Sequence, residues 1–380
     1  MRFTAATVLL GLVACGDGGG AGHTSTIDSA GIAIVTNTSA ERVDSITTAR
    51  WRVGSEDGPL NDVGDLAVTA SGLVVVANNG NHTVVALGAD GAEQWRFGRT
   101  GDGPGEFRGF LSLATVGDTT YVFDFVNRKL TAIGPDGTLK GVTQIAPVPQ
   151  NLELAGGLSD GTLLFTSRIL GNLGPGVHRD SVNYLRVRPD GTMLGALGWG
   201  RYQSVDFLMG EWGPNIHDEA LGASGSVAAH GNGVVHADGG TAEVVVRGET
   251  GSISRLIRWT GAPVPVSDAD RDAFIAAERE ATADEFQQRQ LEAWIPEITW
   301  PTHLPMTGMV LSRPGRRMLV AEYCALGRRH CGWRDIDDEG RWRRTVVVPV
   351  CATDAVATAT LLVTLSVDDQ GFETIAAWSL

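Results

Sequence analysis

Arg99, Glu106 and Arg108 bracket the glycine-rich run Gly98-Arg99-Thr100-Gly101-Asp102-Gly103-Pro104-Gly105-Glu106-Phe107, and they are the first side chains that suggest a binding surface. The run lacks the Lys-Ser/Thr of a phosphate cradle and no helix pattern follows it, so it reads as a tight crossing between two β units. Such crossings end on a ligand-facing surface, which makes these three residues binding candidates. His217-Asp218-Glu219 sets an imidazole beside two carboxylates, a group suited to a metal or to general-base chemistry. Other matches fail on context. Gly157-Leu158-Ser159-Asp160-Gly161 spells G-x-S-x-G but feeds the strand-like Thr162–Phe165 rather than a helix, so it predicts a hairpin turn. Asp335-Ile336-Asp337-Asp338-Glu339-Gly340 starts like a calcium loop, but Val346 stands where a bidentate glutamate is needed. Asp124 and Asn127 are expected to bond the amides of an adjoining turn. With Lys129 and Lys140 as the only lysines, Schiff-base chemistry has few options.

Many short strands must carry these residues. The chain has 380 residues, of which 50 are glycine without a collagen period, so tight turns are frequent. Forty-four acidic against 30 basic residues leave a net charge of −14, which argues against a general nucleic-acid binder. Turns at Asp90-Gly91, Asp136-Gly137, Asp190-Gly191, Thr250-Gly251 and Glu339-Gly340 each lead into a short apolar strand, as hairpins do. Two further strand-like runs precede each turn, for example Leu73–Ala77 and Thr83–Leu87. Units of roughly 45–60 residues built this way predict propeller blades. The last unit, Thr353–Leu380, holds three strands. Thr48–Gly54 echoes Gln94-Trp95-Arg96-Phe97-Gly98 and supplies the missing fourth, which closes the ring; Asp57-Gly58-Pro59 likewise echoes Asp102-Gly103-Pro104. The expected fold is all-β: a six-bladed β-propeller over 31–380, with the N-terminal strand closing the last blade.

One segment departs from the pattern. Ser267–Glu292 has no Gly or Pro and starts with the capping-box-like Ser267-Asp268-Ala269-Asp270, predicting one helix or two short ones, about 267–294, inserted between blades four and five. Its patchy apolar stripe places it on a face of the propeller. It carries a net −5, whereas 313–344 carries nine arginines and a net +4. Solvated surfaces account for both. A sharper expectation is that the acidic insertion docks on the basic blade five, or that these arginines meet an anionic glycan or lipid headgroup. Cys324 and Cys331 flank a short loop between two strand-like runs, so a Cys324–Cys331 disulfide is expected, with Cys351 buried as a small apolar residue.

Arg2 and the 12-residue apolar stretch Phe3–Ala14 are too short to span a bilayer and read as a targeting segment. Leu12-Val13-Ala14-Cys15 resembles the lipobox of bacterial lipoproteins, which implies a signal peptide 1–14, lipid attachment at Cys15 and a flexible tether 15–30 that begins Gly16-Asp17-Gly18-Gly19-Gly20. Gly16 after the cysteine, by analogy with some diderm bacteria, implies the outer membrane. Gly98–Phe107 followed by Tyr121–Leu130 resembles the NHL-type repeat of six-bladed β-propellers, in particular bacterial lipoproteins of that class. The match is strong over 45–140. Asn78 stands where the second unit has Asp124, and Glu322 is the nearest counterpart in the fifth. The resemblance implies a central tunnel and says little about activity. The resulting expectation is a monomeric binding or scaffold module of the cell envelope, with an unidentified protein or glycan partner and no required cofactor. The alternatives are a calcium-dependent lactonase or esterase and a zinc- and histidine-using lyase; no blade-by-blade set of Glu, Asn and Asp that would hold calcium can be assigned.

Overall fold

Glycine at a positive φ sets the pitch of the molecule. Gly91, Gly137, Gly191, Gly251 and Gly340 have φ between 76° and 87°, and each donates its N–H to the carbonyl three residues back, closing the predicted turns. A computed structural model describes residues 24–54, 58, 60–145, 151–169, 171, 174–210, 213–282, 284–325, 330–368 and 370–380. The expected signal segment 1–14, Cys15 and the glycine run after it lie outside the described residues, as do Asp57 and Pro59 of the echoed loop.

The described residues form six small sheets. Sheet one contains Val63–Val68, Val74–Asn78, Thr83–Leu87 and Glu93–Phe97, and sheet two Leu111–Val116, Thr119–Asp124, Lys129–Ile133 and Leu139–Gln144. Sheet three begins at Leu152–Gly157, sheet four at Ser226–His230, sheet five at Val310–Arg313 and sheet six at Asp354–Ala357. Each first strand lies beside the first strand of the next sheet, and the sixth returns to the first. This cyclic arrangement belongs to the β-propeller class. Each sheet is sandwiched between its neighbours. Val74–Asn78 and Thr83–Leu87 are therefore buried along their whole length, and they read as continuous apolar runs rather than as alternating ones. One apolar cluster fills each junction; Leu66, Val76, Val85, Val363 and Ile375, for example, pack between sheets six and one. Each buried valine contributes roughly 2 kcal/mol.

Trp51–Gly54 pairs antiparallel with Glu373–Ser379, as the echo predicts, and so ties the N-terminal part of the chain to its end. The N-terminal segment does more than the sequence indicated. Thr24–Ser29, expected within the tether, forms a hairpin with Ile32–Asn37, which adds in parallel to Ile253–Trp259 of sheet four; Arg42–Ser45 then adds to Trp342–Val348 of sheet five. This strap covers the outer edges of three successive sheets, where open strands would otherwise invite pairing with other chains. Asn37 pins it: its Nδ2 donates to Gly340 O at 3.0 Å, and its Oδ1 accepts from Trp342 N at 3.0 Å.

The disulfide differs from the expectation. It joins Cys324 to Cys351, with their Cα atoms 5.9 Å apart. The Ala321–Trp333 pairing is continued by a hydrogen bond from Glu322 N to Gly332 O, which sets Cys331 one residue out of register with Cys324; neighbouring residues of a strand point to opposite faces. Cys331 is instead buried, with its Sγ 3.4 Å from Glu322 O. Peptide mapping without reduction is expected to recover Cys324 with Cys351. Replacing both by serine should cost about 3 kcal/mol, measured by urea unfolding, because the bridge closes a 27-residue loop.

The insertion forms two helices between sheets four and five, α1 (Asp268–Ala281) and α2 (Glu285–Trp294). The expected capping box is present: Ser267 Oγ accepts from Asp270 N, and Asp270 accepts from Ser267 N at 2.9 Å. Among the described residues no ion pair joins the helices to the arginines of 313–344; the contact with that segment is apolar, with Phe274 packed in one cluster with Tyr323 and Ala325. Leu291 and Trp294 bury against Ala220 and Ile298, and Phe274 sits edge-on to Trp294 and Trp300. Six of the seven described arginines of 313–344 are engaged within their own sheet and the strap, Arg316 being the exception. Arg313, Arg317 and Arg344 surround Asp335, Arg334 pairs with Glu322, Arg341 with Glu339, and Arg343 with Asp337 and Glu41.

Candidate functional site

The six first strands run in one direction around a central channel, which gives the molecule a front face where they begin and a back face where they end. Short polar side chains latch them together. Asp65 Oδ2 accepts from Leu113 N of the next first strand at 2.6 Å, Ser112 Oγ from Leu154 N at 3.0 Å, and Ser226 Oγ from Val310 N at 2.9 Å. The middle of the channel is a cavity of about 530 Å³ lined by all six strands, and three carboxylates (Asp65, Glu153 and Asp354) reach it. Burial pushes the Asp65 carboxyl well up, and Asp354 adds to this. Burial likewise pushes Asp354 up to about 6, and it raises Glu153. Glu153 is exposed on the channel wall. The two half-buried aspartates differ in partners: Asp65 also accepts from Leu66 N, whereas Asp354 accepts from Ala355 N through Oδ1 and leaves the Oδ2 atom buried without a hydrogen-bond partner. The channel therefore carries more negative charge than its surroundings readily hold.

The front mouth opens above sheets one to three as a cavity of about 650 Å³. Glu153, Thr166 and Tyr202 line both this mouth and the channel, so the two are continuous. Burial pushes the Tyr202 hydroxyl up to about 12. Arg168 lines the mouth and is held by the fully buried Asp180, which also accepts from Gln203 N. Phe110 and Phe125 stand at the rim, Phe110 with 73% of its surface exposed. The backbone of Phe110 is the informative feature. The residue just before the first strand takes the left-handed conformation in three sheets: Asp62 (φ 54°), Phe110 (φ 50°) and Asn151 (φ 56°). Aspartate and asparagine tolerate this region, whereas phenylalanine is strained there. An exposed side chain gains little from packing that would offset the strain.

Arg99, Glu106 and Arg108 lie on the crossing between sheets one and two, as expected, and they are occupied in folding it. Glu106 accepts from Gly103 N at 2.9 Å and from Arg99 at 2.7 Å, and these two interactions hold its carboxyl below the usual range. Arg108 pairs with Asp102 at 2.8 Å, and the buried Lys129 donates to the carbonyls of Asp102, Gly103 and Glu106. Asp124 accepts from Arg108 N and Asn127 N, the structural role expected of it. Ser159 lies on a turn closed by Gly161 N to Leu158 O, with no helix after it. His217 lies on the strand Gly213–Asp218, which pairs with the second strand of the long hairpin Gly176–Val187 and Met193–Gly210. Its ring stacks on Trp294 of α2 at 4.4 Å, and burial lowers its pKa. Among the described residues, no three His, Cys, Asp or Glu side chains converge as metal ligands.

The sequence reading missed Asp65, Glu153 and Asp354. Their signal was an acid set among apolar residues at the start of a unit, as in Val63-Gly64-Asp65-Leu66-Ala67-Val68 and Leu152-Glu153-Leu154. No helix among the described residues is long and apolar enough to cross a membrane.

No family model matches the sequence, and no curated protein is detectably similar to it. Solved structures that resemble it include a Bacteroides fragilis protein described as exported (12% identity, TM-score 0.48, covering 89% of this chain and 99% of that one). Another is a member of the DUF4221 family from Bacteroides vulgatus (9% identity, TM-score 0.47, 87% and 97%). A third is virginiamycin B lyase from Staphylococcus aureus with quinupristin (11% identity, TM-score 0.40, 87% and 98%). Likeness at this level assigns no chemistry to the present chain.

Proposed function

We propose that this chain is a six-bladed β-propeller of the cell envelope, exported and lipid-anchored through Cys15, that binds a ligand at its front mouth and catalyses no reaction. The six sheets are read as its blades and the two helices as a wall of the front face, beside the mouth. The lipid anchor rests on the lipobox-like Leu12-Val13-Ala14-Cys15 and the glycine run after it. The observation that carries the binding role is Phe110: an exposed phenylalanine in a left-handed conformation where the equivalent positions hold Asp62 and Asn151. Phe110 and Phe125 offer flat apolar faces above the polar Tyr202, Arg168 and Glu153. That pairing suits a ligand with an apolar face and several hydrogen-bonding groups, such as a glycan or an extended peptide. Calcium-dependent hydrolysis is the weaker reading, because the channel acids do not converge on one point.

The test is an array of envelope glycans and peptides applied to the wild type and to Phe110→Asn. Binding by the wild type that weakens about tenfold or more in the variant is expected, in line with the loss of an aromatic hot spot. Equal binding by both proteins would remove the front mouth from the account.

A further inference from the structure

The back mouth is built with the opposite charge to the channel. It is a cavity of about 850 Å³, continuous with the channel through Val68, Thr115, Gly157, Ala229, Ser312 and Ala357. Its lining includes Arg50, Arg313 and Arg316 and many hydroxyls, but no Asp or Glu. In a chain of net charge −14 such a lining is unexpected. Acids that adjoin the lining are engaged elsewhere: Asp335 is shared by Arg313, Arg317 and Arg344, Asp118 accepts from Ser71 N at 2.7 Å, and Asp160 accepts from Thr162 N and pairs with Arg186.

Two of the three guanidinium groups are available. Arg313 is spent on Asp335 and on the carbonyls of Thr358 and Ala359. Arg50 and Arg316, both exposed, make no ion pair and no side-chain hydrogen bond among the described residues. Of the seven described arginines between 313 and 344, Arg316 alone makes no ion pair. Its backbone is also strained. Pro314-Gly315-Arg316 turns between the first two strands of sheet five with φ of 74° at Gly315 and 57° at Arg316, a conformation that suits Gly or Asn better than Arg. Behind Arg316, His230 contacts Ser312 Oγ at 3.0 Å, and its pKa is lowered to about 4 by burial and then by Arg316 and Arg255. The mouth therefore keeps its positive charge in guanidinium groups, which do not titrate in the physiological range.

We propose that the back mouth is an oxyanion-binding site, in which Arg50 and Arg316 grip a phosphate or similar anionic group while the surrounding Ser and Thr hydroxyls bond the rest of a polar ligand. Guanidinium forks match two anionic oxygens at once, and the acidic channel beyond keeps such a ligand at the rim. This assignment does not depend on what the front mouth binds. The anionic group could belong to a soluble molecule or to a lipid headgroup.

Inorganic phosphate serves as the first probe, with unfolding of the full chain followed in phosphate and in chloride of equal ionic strength. Phosphate is expected to raise the unfolding midpoint of the wild type above that in chloride. The double variant Arg50→Gln/Arg316→Asn is expected to lose that rise, with phosphate affinity reduced about tenfold or more. Asparagine tolerates the left-handed backbone, so the variant should unfold at no lower a temperature than the wild type in chloride. Cosedimentation with phosphatidylcholine vesicles, with and without phosphatidylglycerol, distinguishes the two sources. Retention by the anionic vesicles that phosphate competes away assigns a lipid headgroup; a phosphate response without retention assigns a soluble ligand. A wild type that responds to neither, or a double variant that responds like the wild type, overturns the proposal.

Discussion

Asp335→Asn is expected to destabilise the protein by about 3–5 kcal/mol, read as a lower urea midpoint at pH 7.5. The Asp335 side chain is fully buried and answers three cations: Arg313 at 2.9 Å and Arg317 at 3.0 Å on one oxygen, Arg344 at 2.8 Å on the other. Burial works to raise its pKa, but Arg344, Arg313 and Arg317 together outweigh burial and hold it below the usual range. Asparagine keeps the shape and removes the charge, leaving the buried Arg313 without a counter-ion. Arg344 also pairs with Asp44 of the strap at 2.9 Å, so the N-terminal segment should loosen as well. Earlier proteolysis between Asn37 and Trp51 would report it. A loss below 1 kcal/mol would mean that the cluster is open to water and that sheet five is held by its apolar contacts alone.

Asp354→Asn should act in the opposite direction. A carboxyl whose folded pKa is about 6, raised above the ordinary aspartate value of 3.8 that it has when unfolded, favours folding while it is protonated. That contribution is complete below about pH 4 and is lost as the pH rises through about 6. At pH 7.5 the wild type therefore holds an unfavourable, half-buried charge beside Asp65, and the asparagine variant does not. A gain of about 3 kcal/mol is expected at pH 7.5, shrinking towards zero at pH 4. Asp65→Asn is a poor substitute, because both Asp65 oxygens accept backbone N–H groups and an amide presents only one acceptor. Destabilisation by Asp354→Asn at both pH values would show that the carboxylate is held by favourable contacts and that the channel is not electrostatically strained.

What could be read from the sequence follows from how local each signal is. The Asp-Gly turns, the closing strand Trp51–Gly54 and the Ser267 capping box depend on a few adjacent residues, and the structure has all of them. The Cys324–Cys351 bridge and the strap depend on register and on partners some 300 residues away, which spacing alone does not reveal. The arginines of 313–344 looked like a surface patch because Asp335 was counted as one acid among several, and its burial cannot be read from a one-dimensional count. Arg99, Glu106 and Arg108 were located correctly, but their use as mutual partners requires the loop to curl back on itself. The front mouth was hidden for a different reason. Phe110 looks like any other apolar residue until its backbone conformation and exposure are known together.

Urea unfolding of Phe110→Asn at pH 7.5 tests directly whether Phe110 is kept for something other than folding. Asparagine accepts the left-handed backbone, and little buried surface is lost, so the variant is expected to be more stable than the wild type by about 1 kcal/mol. A variant less stable by 1 kcal/mol or more would show that Phe110 packs for stability, and the binding role of the front mouth would lose the observation that carries it.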